Sequence, residues 1–253
     1  MSFRRSHPLP QGTTSEQKKF YYHEAKLSFF VTGVDEWLWT SYCYVDTYFD
    51  NTQHWEQYLA TNMDPSTGAG HSFQFPMWNP REYFLSTLER RVTQATREWT
   101  TLVNIFDSRM TTYVRPLLPR VTRAKKFKAY VELQERELQS IFMDDPHFTH
   151  TKMLTSIVSA VRSFRDAISL TLEAWHTFEQ GQIQHLHTTG SEALRARWER
   201  YLATVQGNMS ELGSLRSLLA HKLDLFNGLR DGVSYYTIAS IFADSISWSM
   251  LPH

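Results

Sequence analysis

The chain has 253 residues, and its 26 Lys plus Arg balance 26 Asp plus Glu, so no global charge draws it to nucleic acid or an acidic membrane. With 42% hydrophobic and 21% charged residues, it has the balance of a folded globular protein rather than a disordered one. A single cysteine, Cys43, excludes an internal disulfide framework and a zinc site built on several thiolates, and a reducing, cytoplasmic setting fits.

Residues 1–25 read as a flexible tail: Arg4 and Arg5 are followed by no apolar run, so they start no secretory signal. Lys26 to Thr32 is short and β-prone. Trp37 to Phe49 crowds Trp37, Trp39, Tyr42, Tyr44, Tyr48 and Phe49 together, and it reads as a helix with aromatics all round, burying Cys43. Asp50 to Pro76 is a polar loop, in which Ser66-Thr67-Gly68-Ala69-Gly70 resembles a phosphate cradle but lacks its lysine and its strand-to-helix setting.

The clearest helix start is Asn79-Pro80-Arg81-Glu82, where Asn caps, Pro takes the first helical position and Glu returns a hydrogen bond. Leu85, Leu88, Val92, Ala95, Trp99, Leu102, Phe106, Met110 and Tyr113 then alternate at three and four residues, as along a coiled-coil seam. Pro116 ends this helix, of roughly 50 Å at about 1.5 Å per residue. Arg120, Arg123, Lys125, Lys126 and Lys128 make the one basic cluster, read as a solvated face at the start of a shorter helix over Arg123 to Phe142.

Asp144-Asp145-Pro146-His147-Phe148-Thr149-His150 is the sharpest local constellation. Paired aspartates before Phe resemble the magnesium-binding motif of terpene synthases. However, Pro146 breaks the helix beside them and no second Asn/Ser/Glu triad follows. A polar turn is the plainer reading, leaving Asp144, Asp145, His147 and His150 as weak candidates for a divalent ion such as magnesium, with no motif behind it.

Two further stripes follow. Leu154, Ile157, Val161, Phe164, Ile168, Leu172, Trp175 and Phe178 form one that stops near Gly181. Beyond His185 and His187, which read as a solvated turn, Leu194, Trp198, Tyr201, Val205, Met209, Leu212, Leu219, Phe226 and Leu229 form the other. Val233 to Leu251 is the most apolar stretch, but its serines and Asp244 argue against a membrane span. The fold class expected is all-α: an elongated antiparallel bundle of long helices with a short β-prone N-terminal segment.

Four blocks also resemble, in order and spacing, a fungal family described as CorA-like magnesium transporters. They are Val31 to Phe49, Trp78 to Leu85, Glu173 to Gly181 and Leu225 to Gly232. The resemblance spans about residues 26–232, with 233–253 divergent. It implies a cytosolic helical region whose last long helix serves as a stalk towards membrane helices carrying Gly-Met-Asn. This sequence has no Gly-Met-Asn, so no conduction residue carries over.

The leading expectation is therefore a non-enzymatic, pore-less relative of that cytosolic region. It would need no cofactor and act through homo-oligomers or a helical protein partner. The alternative is an accessory or small-ligand-binding protein of a fungal pathway that uses the aromatic cluster as its pocket. A magnesium-dependent all-α enzyme at Asp144 and Asp145 is the remote third.

Overall fold

The computed structural model describes residues 6–8, 21–23, 27–45, 66, 77–114, 147–183 and 192–249. Among these, three long helices dominate: α1 (Pro80–Val114), α2 (Thr149–Gly181) and α3 (Glu192–Ser249). Four short strands precede them. β1 (Ser6–Pro8) pairs with β2 (Tyr21–His23), and β3 (Leu27–Gly33) pairs with β4 (Trp39–Val45).

The start of α1 follows from its sequence. The Asn79 side-chain oxygen accepts from the Arg81 and Glu82 amides at 3.0 and 3.1 Å, satisfying two N–H groups that the first turn leaves open. Pro80, which has no N–H to lose, occupies the first helical position. The expected return bond from Glu82 is replaced: its carboxylate pairs with Arg197 of α3 at 2.8 Å. A guanidinium within reach holds this nearly buried carboxylate in a charge-assisted bond, which is stronger than a bond to a neutral amide.

β3 and β4 correct the helix reading of Trp37 to Phe49 over residues 37–45, with 46–49 lying outside the described residues. Leu27 faces Val45, Phe30 faces Tyr42 and Gly33 faces Trp39 in an antiparallel hairpin. Along β4 the half-buried Trp39, Ser41 and Cys43 alternate with the exposed Thr40, Tyr42 and Tyr44, a two-residue period that only a strand gives. Aromatic side chains on both sides of the segment are therefore the two faces of a ribbon.

The chain divides into two compact units. The first holds the β3–β4 hairpin with residues 80–101 of α1, 169–181 of α2 and 192–214 of α3. Its core includes Leu85, Trp175, Trp198, Val205, Met209 and Leu212, all buried. Phe84 of α1 meets Phe178 of α2 with ring centroids 6.0 Å apart, and the Trp175 indole donates to Gln206 of α3 at 2.9 Å. Polar pairs Glu82–Arg197, Thr93–Asn208 and Thr100–Glu211 align α1 with α3 in the same direction.

The second unit takes residues 102–114 of α1, 149–168 of α2 and 215–249 of α3. Val103, Phe106, Met110, Leu154, Ile157, Val161, Phe164, Ile168, Leu219 and Phe226 are all at most 3% exposed. Burying each such side chain contributes about 1.5–3 kcal/mol relative to leaving it in water. Phe164 sits at the centre, edge-on to Phe106 at 5.6 Å and to Tyr22 at 4.9 Å. Lys222 of α3 pairs with Asp107 of α1.

The α2 and α3 stripes match the buried positions closely; the α1 stripe does not. Ala95 is exposed and Leu102 only half-buried, while Thr96 and Val103 beside them are buried. At its C-terminal end α3 runs unbroken through Gly228 and Gly232 to Ser249. Among the described residues no helix is long and apolar enough to cross a membrane.

Candidate interaction surface

The β3–β4 hairpin holds the densest set of exposed apolar side chains among the described residues. Its tip is built by Asp35, whose carboxylate accepts from the Trp37 and Leu38 amides at 2.8 and 2.7 Å. The Val34 amide donates to the Leu38 carbonyl at 3.0 Å and closes the loop. Aspartate suits this position because its short side chain reaches backbone donors two and three residues on. Gly33 is required next to it: a Cβ there would lie 2.6 Å from that of Trp39.

The two faces of the ribbon do different things. On the inner face Phe29 stacks on Phe84 at 5.0 Å, and Trp39 packs against Tyr83 at 5.1 Å. The Trp39 indole donates to the Trp78 carbonyl at 2.9 Å, and Ser41 reaches the Tyr83 hydroxyl at 3.3 Å. These contacts fasten the hairpin to the first turn of α1. On the outer face Phe30 stacks on Tyr42 at 4.9 Å and on Tyr44 at 6.5 Å, making a ladder of three rings. Tyr44 is 62% exposed and Trp37, at the tip, 84%. Val34 and Leu38 at the tip and Trp78 before α1 are also exposed.

Such a surface is costly to leave in water, and contiguous patches of this kind on a folded protein mark places where something binds. The only charges of residues 27–45 are Asp35 and Glu36, so the hairpin is anionic as well as aromatic.

The polar candidates are placed differently. Asp144 and Asp145 lie outside the described residues, as do His185, His187, the basic cluster 120–128 and the segment Arg123 to Phe142. Of the loop Ser66 to Gly70 only Ser66 is described; it is buried, and its carbonyl accepts from Arg91 at 2.7 Å. His147 is exposed in the turn before α2, and His150 is half-buried in the first turn. Between them Phe148 adopts φ 55°, a left-handed conformation uncommon outside glycine, and its carbonyl accepts the first α2 bond from Lys152. Among the described residues no three His, Cys, Asp or Glu side chains gather where they could hold a metal ion.

A groove of about 480 Å³ in the second unit is lined by Tyr22, Thr151, Lys152, Thr155, Ser156, Ser159 and Ala160. Five of its seven lining residues carry hydroxyl groups, and none of the aromatic residues of the hairpin takes part.

The chain matches no family model, no curated protein and no solved structure. Its function therefore has to be argued from this geometry. Sequence reasoning found the aromatic cluster but assigned it to a helix, and so missed the separation of an anchoring face from a displayed one. The available signal was the step of two from Trp37 to Trp39 and from Tyr42 to Tyr44, just after a turn-forming aspartate.

Proposed function

We propose that the chain is a non-enzymatic helical scaffold that works by assembling with itself in the cytoplasm. In this reading it is a pore-less relative of the cytosolic region of CorA-like transporters, its three helices forming an elongated antiparallel bundle. The observation that carries the proposal is the outer face of the hairpin: Phe30, Tyr42 and Tyr44 stacked in the open, with Trp37 beyond them. A protein that needed these rings only for its fold would bury them, as it does Trp198 and Phe164. The family resemblance of residues 26–232 supports the helical part of this reading, because it implies a cytosolic helical region whose last long helix serves as a stalk.

The test is the solution mass of the purified chain by light scattering after size exclusion, first in millimolar magnesium and then in chelator. A defined oligomer is expected, and a change of mass between the two conditions would tie assembly to the divalent ion. A monomer in both conditions would remove the proposal.

A further inference from the structure

The displayed face of the hairpin has a chemical preference beyond being apolar. Aromatic rings attract cations over their faces, with Trp the strongest. Here the rings of Trp37, Tyr42 and Tyr44 are exposed on a segment with two carboxylates and no lysine, arginine or histidine between Leu27 and Val45. Asp35 is committed to its turn, which leaves Glu36 as the carboxylate available to a partner. Rings and carboxylate together select a segment that is both cationic and apolar. They disfavour a phosphate backbone or an anionic lipid surface, which the carboxylates would repel.

The same chain contains a segment of that chemistry. From Arg115 to Val131 it reads Arg-Pro-Leu-Leu-Pro-Arg-Val-Thr-Arg-Ala-Lys-Lys-Phe-Lys-Ala-Tyr-Val, with six basic residues, no acidic one, and Leu117, Leu118, Val121 and Phe127 among them. With no net charge on the whole chain, two copies approach without long-range repulsion.

We propose that the outer face of the β3–β4 hairpin is the docking site for the basic run 115–131 of a second copy, an inference that rests on self-assembly as the function. The contact is head-to-tail: the face of one copy takes the run of another, leaving a second face and a second run unused. Interfaces of that kind close into rings or extend into chains, depending on the rotation between copies.

Two variants that each break one half test this directly. In the first, Trp37→Ser, Tyr42→Ser and Tyr44→Ser remove the displayed rings. In the second, Lys125→Glu, Lys126→Glu and Lys128→Glu reverse the run. Far-UV circular dichroism and melting temperature establish that each variant folds like the parent. Each alone is expected to run as a monomer by light scattering. Their equimolar mixture should form a dimer, because the first still offers an intact run and the second an intact face. Raising salt to roughly 0.5 M, where screening shortens to about 4 Å, should dissociate that dimer at least tenfold more readily.

A mixture that stays monomeric overturns the proposal. So does a basic-run variant that assembles like the parent, which would leave self-assembly standing through another surface. Binding of the parent to anionic vesicles through 115–131 in preference to self-association would overturn it too. A parent chain that is itself monomeric fails the broader reading first.

Discussion

The hairpin and the helical core of the first unit are both rich in aromatic rings, yet they use them in opposite ways. In the core, Trp198 has no solvent exposure, and Trp175, 8% exposed, has its indole bonded to Gln206. On the hairpin Trp37 is 84% exposed, and Phe30 and Tyr42, also exposed, stack on each other. A ring on a helical stripe is surrounded by neighbouring helices. A ring on the outer side of a two-stranded ribbon has support on one side alone, because the other side of the ribbon is spent on anchoring. Aromatic content therefore says little by itself, and its periodicity decides whether it builds the fold or is offered to a partner.

The comparison breaks most visibly if the core tolerates what the hairpin tolerates. Phe164→Ala should cost about 3–5 kcal/mol, since the ring is buried against both Phe106 and Tyr22 and its loss leaves a cavity. Urea denaturation measures this, and a cost below about 1 kcal/mol would mean that the second unit is not packed as described. Gly33→Ala comes next. The added methyl group collides with Trp39 where β3 meets β4, at a cost of about 1–3 kcal/mol. That strain should loosen the hairpin while leaving helical circular dichroism unchanged, with the loss read in the near-ultraviolet tryptophan signal.

A smaller effect is expected at Asn79→Ala, about 1 kcal/mol, because two amides of the first α1 turn lose their acceptor. Asn79→Asp should retain most of that stability, as the carboxylate also accepts and faces the positive end of the helix. Smallest of all is Tyr44→Ser, within about 0.5 kcal/mol by thermal melting, because the ring is displayed rather than packed.

Much of the helical part was legible in the sequence. The Asn79-Pro80 start and the stripes of α2 and α3 are local signals that tertiary packing had no reason to override. The α1 stripe was harder because Thr96 lies in the core and Ala95 does not. A pattern built from apolar residues alone steps onto the alanine, whereas the helix turns a threonine inward.

The hairpin was misassigned for a related reason. Rings on both faces of a segment look like a helix buried on every side until their alternation is counted. The candidate surface was therefore visible as composition and hidden as geometry. Arg197, the partner of Glu82, was not legible at all: it lies 115 residues away, and no local pattern joins the two.

The most direct test of the account is to compare the solution mass and melting temperature of the parent chain with those of the Trp37→Ser, Tyr42→Ser, Tyr44→Ser variant. The account predicts an oligomeric parent, a monomeric variant and melting temperatures within about 2 °C at matched low concentration, as expected for exposed positions. Equal masses would contradict it, and so would a variant that melts many degrees lower, since the rings would then be serving the fold.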